Sequence, residues 1–242
     1  MHKETKNEVE MEKKKTKIPV RTAVGAIVAL LMQFLPVLIS GKWDWCQGWV
    51  LGVVTIFFAV ISLVLTAIKN PDLLVERSRY TSAEGIKDWD RRLVPIISIF
   101  LPILTYIVLG LDKRFTWTKP FSPILVWTGF VLIILGFIFS TWAMLENRYF
   151  SAVVRIQSDR GHQVVQSGPY RIVRHPGYAG GVISYLAIPL FMNSWWSYIP
   201  MLAACILMVL RTHLEDQTLQ SELPGYAEYA QRTRYRLIPG IW

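Results

Sequence analysis

The stretch GPYRIVRHPGYAGG, residues 168–181, gathers charge-recognising groups just ahead of a long apolar run. Pro176 pushes His175 out of the helical region, and proline favours the first position of a helix. A helix that starts at Pro176 presents free backbone N–H groups, which is a ready anion site. Arg171 and Arg174 add positive charge beside it, and Tyr170 and Tyr178 supply aromatic faces that attract a cation. The chemistry on offer is recognition of a ligand with a carboxylate at one end and a cationic centre. Packing gives the same residues another use. Gly177 and Gly181 form a small-xxx-small pair suited to close contact between membrane helices.

A second stretch, RTHLEDQTLQSELPGYAEYAQRTRYRLIPGIW, closes the chain at residues 211–242. Arg211 and Glu215 are four apart and share one helix face, which Leu219 continues. Pro224-Gly225 interrupts that helix, and Tyr226 and Tyr229 follow on a short second one. A surface ion pair between Arg211 and Glu215 is the plain alternative, worth a few tenths of a kcal/mol. A hairpin of the last two apolar helices would instead bring Arg174, His175 and Tyr178 to face Arg211 and Glu215.

The elements that must position these residues are apolar. Hydrophobic residues make up 52% of the 242-residue chain and charged ones 18%, with ten Trp; a soluble domain carries about a quarter charged. Apolar runs at 22–40, 48–68, 93–111 and 123–145, and a longer one at 178–210 broken at MNSWWS (192–197), predict about six transmembrane helices, since roughly twenty apolar residues cross a bilayer core. The expected fold is an all-α integral membrane protein whose last two helices form a helical hairpin, with a cytoplasmic carboxyl-terminal cofactor pocket. Residues 1–21 read as a disordered basic tail. Residues 22–145 read as four transmembrane helices with a cytoplasmic loop at 69–92. Residues 146–242 read as the site-bearing region.

Lys and Arg concentrate in the tail and in loops 69–92 and 146–176, whereas loops 41–47 and 112–122 hold one and three. Both termini are therefore expected on the cytoplasmic side of a multi-pass protein. The net charge of +9 is absorbed by topology and anionic lipid, so no nucleic-acid partner is expected. No Asp, Glu, Lys, Arg or His falls inside the spans, which disfavours a pump or ion channel. Cys46 and Cys205 suit neither a disulfide nor a zinc site. The sequence lacks GxGxxG, P-loop, HExxH and GxSxG patterns. Oligomeric state is not legible.

Taken together, GHQVVQSGPYRIVRHPGYAGG, RTHLED with Leu219, PGYAEY and RLIPGIW resemble the isoprenylcysteine carboxyl methyltransferase family, which is related to the membrane phospholipid methyltransferases. The resemblance covers about residues 146–242. NPDLLVER (70–77) with IKDWD (86–90) looks like the upstream loop of bacterial members. The resemblance implies S-adenosylmethionine as methyl donor. It places Gln157, His162, Gln163, Val164, Val165, Tyr170, Arg174, His175, Pro176, Gly177, Tyr178 and Glu215 in cofactor binding. Arg211 matches a substrate-side arginine, and Arg211, His175 and Glu215 are the catalytic candidates. Asp216 stands where the family often has a second glutamate. The implied partners are membrane lipids and a lipophilic or prenylated acceptor. An isoprenylcysteine carboxylate, a phospholipid amine or a small thiol would each serve, and no feature selects one. A nicotinamide-dependent membrane reductase of related framework and a non-catalytic membrane module are the other readings.

Overall fold

The computed structural model describes residues 25, 28–78 and 83–242. The expected basic tail at 1–21 and parts of the first span and of loop 69–92 lie outside the described residues. Among the described residues, eight helices of seven residues or more follow one another: α1 (Val28–Ser40), α2 (Cys46–Lys69), α3 (Pro71–Ser78), α4 (Asp88–Phe115), α5 (Pro123–Glu146), α6 (Pro176–Phe191), α7 (Tyr198–Glu222) and α8 (Tyr226–Arg232). Among the described residues there is no strand. The architecture is all-helical, as the apolar runs require.

Four helices, α2, α4, α5 and α7, are long and apolar enough to cross a membrane, while α1 and α6 are shorter apolar helices at the places of the first and fifth expected spans. The outward faces of α2 and α5 carry Phe57, Leu63, Trp127, Val131 and Leu135, all more than half exposed. A large contiguous apolar surface of this kind belongs against lipid rather than water. Two local signals in the sequence are visible in the helices. Pro95 cannot donate a backbone hydrogen bond, and just after it α4 widens into a π-helical turn at Ile96–Phe100. The break at 192–197 separates α6 from α7.

Helices α5 and α6 lie almost backbone to backbone. A methyl group on Gly136 would sit 2.6 Å from the Gly180 carbonyl, and one on Gly180 would sit 2.5 Å from the Gly136 carbonyl. Ser140 Oγ donates to the Gly177 carbonyl across the same seam (3.0 Å). Small residues allow this approach, and dispersion with weak polar contacts holds it. The small pair expected at Gly177 and Gly181 is not this seam. Gly177 instead receives the Phe150 ring, and a methyl on Gly181 would meet only Met208 Cε, at 3.9 Å. The seam uses Gly180 because it lies on the α6 face toward α5.

At the end of the bundle away from α3 and α8, Asp112 accepts hydrogen bonds from Thr118 N (2.8 Å), Thr118 Oγ1 (2.7 Å) and Ser194 Oγ (2.5 Å). These bonds clip two connections together amid Trp117, Trp195 and Trp196. At the other end, α7 continues as one helix beyond its apolar part to Glu222. Gly225, at φ 82°, makes the turn into α8, a backbone angle that costs glycine little.

Candidate active site

Helix α6 starts at Pro176, with His175 capping it in a non-helical conformation (φ −125°, ψ 62°). The first bond back to the cap is from Ala179 N to the His175 carbonyl (3.1 Å). The N–H groups of Gly177 and Tyr178 are therefore the helix-start donors the sequence led one to expect. The chain leading to the corner is fixed by the carboxyl-terminal segment. Arg174 N and His175 N donate to the carbonyls of Tyr235 (2.9 Å) and Arg236 (3.0 Å).

Helix α7 supplies the facing wall. Tyr178 Oη donates to Glu215 Oε2 at 2.5 Å, and no hydrogen bond occupies Glu215 Oε1 among the described residues. Arg211 and Glu215 do not pair with each other. Arg211 turns to Asp90 at the start of α4, with Nε–Oδ1 2.7 Å and Nη2–Oδ2 3.2 Å, and Nη2 also reaches the Ala152 carbonyl (3.0 Å). Its guanidinium lies 5.0 Å from the Tyr178 ring centre, within cation–π range. His175 stacks nearly parallel to Tyr178, with centroids 5.9 Å apart.

The next residue on α7 organises the corner from behind. Successive helix positions are rotated by about 100°, so Asp216 points away from Tyr178. It is wholly buried. It accepts from Arg174 Nε (2.7 Å) and Nη2 (2.8 Å), Arg236 Nε (2.8 Å), Tyr226 Oη (3.0 Å) and Gln220 Nε2 (2.8 Å), with His175 Nε2 at 3.2 Å. Arg174 gives its remaining Nη1 donors to the carbonyls of Thr233 and Arg234. Its charge is thus matched inside the protein, and Arg174 braces the corner as well as lining it.

The third wall is the segment after α5. Gln157 lies buried with its amide committed: Nε2 donates to the Tyr149 carbonyl (2.8 Å) and Oε1 accepts from Arg160. Gln157 N donates to His162 Nδ1 (3.3 Å), so that nitrogen carries no proton. Burial, with the nearby Arg155 and Arg160 charges, pushes the His162 pKa down to about 4, and the ring is neutral at pH 7. Arg155 clamps the segment to α3 through Glu76 (2.8 Å twice) and also holds Asp159 (2.9 Å). These bonds hold the Glu76 carboxyl below the usual carboxylate range. Asp90 accepts from Val154 N (2.7 Å), so one carboxylate fixes both this segment and Arg211.

Between the three walls lies an open cleft of about 90 Å³. Gln157, His162, Gln163, Val164, Val165 and Tyr170 line one side. Arg174, His175, Gly177, Tyr178 and Glu215 line the other. Pro176 and Arg211 stand behind the lining. Val164, Val165 and Leu219 make an apolar patch against the buried Tyr170, Leu223, Tyr226 and Tyr229. Helix-start donors, an uncommitted carboxylate oxygen, aromatic faces and an apolar patch thus converge on one cleft. Sequence reasoning marked the stretches NPDLLVER and IKDWD without singling out Glu76 or Asp90 within them, and gave Asp216 no role. The signal available was the acids set among arginines in the otherwise basic loop 69–92.

Residues 124–223 match the family model described as phospholipid methyltransferase. The match begins in α5, earlier than the resemblance read from the sequence, and stops before PGYAEY. The chain is similar to the cobalt-zinc-cadmium resistance protein CzcN of Cupriavidus metallidurans, 29% identical over 57% of this chain and 61% of that protein. It is similar to a probable protein-S-isoprenylcysteine O-methyltransferase of Oryza sativa subsp. indica, 36% identical over 24% of this chain and 30% of that protein. It is also similar to a Delta(14)-sterol reductase of Mus musculus, 34% identical over 36% of this chain and 22% of that protein. The chain thus spans less than two thirds of the length of these relatives. Its resemblance to the isoprenylcysteine methyltransferases and the related phospholipid methyltransferases stands, carried by a phospholipid methyltransferase match over residues 124–223.

Proposed function

We propose that the protein is an integral membrane methyltransferase that uses S-adenosylmethionine and methylates a lipophilic acceptor, an isoprenylcysteine carboxylate or similar, at the cytoplasmic face of the membrane. The observation that carries this reading is the meeting of Tyr178 and Glu215 across a cleft lined by His162–Val165. These elements are remote in sequence, and the resemblance assigns all of them to one cofactor. The Lys and Arg bias of the tail and long loops supports the cytoplasmic side, with both termini there.

The residues fit the donor by chemistry. The N–H groups of Gly177 and Tyr178 suit a carboxylate. The uncommitted Glu215 oxygen suits hydroxyl or amino donors. The Tyr170 ring suits a cation, the Tyr178 ring already taking the Arg211 guanidinium, and Val164 with Leu219 suits a flat apolar group. When bound, the donor supplies a methyl group on a sulfonium, whose leaving group is neutral. The protein's own tasks are alignment and exclusion of water. Arg211 Nη1 makes no hydrogen bond among the described residues and is the donor that would orient an acceptor. A carboxylate acceptor needs no base. An amine or thiol must lose a proton, and Glu215 is the better placed base, because His175 Nε2 is engaged by Asp216 and Tyr226.

The similarity to a sterol reductase favours a nicotinamide-dependent enzyme as the second reading. Thermal unfolding of the purified protein with each cofactor decides between them. The proposal expects protection by S-adenosylmethionine and none by NADPH; the reverse pattern would overturn it.

A further inference from the structure

The arginines around the cleft that are shielded from solvent are matched to carboxylates with one exception. Arg155 pairs with Glu76, Arg160 and Arg148 with Asp72, Arg211 with Asp90, and Arg174 and Arg236 with Asp216. Arg77, on α3, has no carboxylate partner among the described residues. Its guanidinium makes one long hydrogen bond, from Nη1 to the Phe150 carbonyl (3.3 Å), and lies 5.8 Å from the Phe150 ring centre. Phe150 lines the cleft and packs on Gly177 at the start of α6. Burial draws the Arg77 pKa down, and the Arg211 charge adds to that. A half-buried cation short of a counter-charge is costly unless a ligand supplies one.

The position of Arg77 indicates which ligand. Helix α3 starts at Pro71, directly after α2 ends at Lys69 and Asn70 makes the turn. Arg77 is thus within about 12 Å of chain rise of a membrane-capable helix. Arg77 stands behind Phe150, which lines the cleft, on the helix that directly follows α2, so a lipid-borne group entering from the bilayer side would approach the cleft past it. Most of the residues assigned to the donor line the cleft itself. Asp90 and Glu215 are the carboxylates beside Arg211, and neither pairs with Arg77.

We propose that Arg77 is an acceptor-binding residue that, with Arg211, selects a lipophilic acceptor bearing an anionic group at, or next to, the atom that is methylated. This rests on the methyltransferase reading above. Two acceptor chemistries share the requirement. A carboxylate acceptor forms the new O–C bond as the donor's S–C bond breaks, and carboxylate and sulfonium charges vanish together with no proton released. An amine acceptor beside a phosphate first gives a proton to Glu215 or solvent, then forms the N–C bond, and its phosphate stays charged against the arginines. A neutral alkyl thiol or a simple alkylamine lacks the anion and is disfavoured.

The experiment uses the full chain in detergent. Calorimetry first measures S-adenosylmethionine binding to wild type, Arg77→Gln and Arg77→Lys. Methyl transfer is then assayed with an S-dodecyl-N-acetylcysteine carboxylate, phosphatidylethanolamine, dodecylamine and dodecanethiol. Thermal stabilisation by each probe is measured without the donor. The proposal expects turnover of one anionic probe above both non-anionic ones. It expects KM for that probe to rise about tenfold in Arg77→Gln and less in Arg77→Lys, the scale of losing one charged hydrogen bond. Donor affinity should stay within about twofold, and stabilisation by the anionic probe should be lost in Arg77→Gln. Product binding separates the sources: a methyl ester product no longer senses Arg77, whereas an N-methyl phospholipid still does. An unchanged KM, equal turnover of dodecanethiol, or a parallel loss of donor affinity would overturn the role of Arg77. So would wild type that binds the donor while no anionic probe is turned over or stabilises it. Wild type that fails to bind the donor overturns the methyltransferase reading, and the stabilisation assay still tests Arg77 by itself.

Discussion

Replacing Asp216 with alanine removes the carboxylate on which Arg174, Arg236, His175, Tyr226 and Gln220 converge. Asp216 is wholly buried, and the side chains of Arg174 and Arg236 are 5% and 24% exposed. Two guanidinium groups would then lie at the corner without a counter-charge. Breaking a buried ion pair by deleting one partner costs about 3–5 kcal/mol. For a chain of this length each kcal/mol moves the unfolding midpoint by roughly 2–4 °C, so the expected fall is about 6–20 °C. The chain contains its own reporter. Cys205 is buried and Cys46 exposed, so in a Cys46→Ser background a thiol-reactive dye reads unfolding through Cys205. Asp216→Asn keeps the volume but not the charge and should fall nearly as far. Arg236→Ala should fall less, because Arg174 still pairs with Asp216. A midpoint for Asp216→Ala within about 2 °C of wild type would refute the reasoning.

Three further outcomes follow from the geometry. His162 has a pKa of about 4 in the folded protein against about 6.5 unfolded; the unfolded chain binds more protons between those values, so stability present above pH 6.5 is lost as pH falls toward 4. Melting at pH 7 and pH 5 should show that loss in wild type and a smaller one in His162→Gln. Gly180→Ala should cost about 1–3 kcal/mol by overpacking the α5–α6 seam, whereas Gly181→Ala, with only Met208 Cε at 3.9 Å, should melt like wild type. Tyr178→Phe removes the donor to Glu215 and should weaken S-adenosylmethionine about three- to tenfold, read by calorimetry, with the melting midpoint little changed.

The helices were legible because hydrocarbon length fixes the length of an apolar run, and Pro176 marked the start of α6 through its fixed φ. The turn into α8 was legible from Pro224-Gly225. The carboxylates behind the site were not, because their partners are far away in the chain: Asp90 and Arg211 are 121 residues apart, Glu76 and Arg155 are 79, and Arg174 and Asp216 are 42. Nothing local in the sequence says which acid meets which arginine. Arg211 and Glu215 share a helix face as expected, yet Asp90, brought in by α4, outcompetes Glu215 for the guanidinium. Glu215 is thereby left to Tyr178 and the cleft. The seam glycine was mistaken by one position because α6 meets α5 on a different face from the one spaced four residues from Gly177.

The central claim is that the Tyr178–Glu215 cleft holds a methyl donor. Calorimetry of S-adenosylmethionine with the detergent-purified protein, wild type beside Glu215→Ala, tests it most directly. The account predicts micromolar binding to wild type and its loss in a variant that still melts cooperatively. A well-folded wild type that binds no S-adenosylmethionine, or a Glu215→Ala variant that binds it as tightly, would contradict the account.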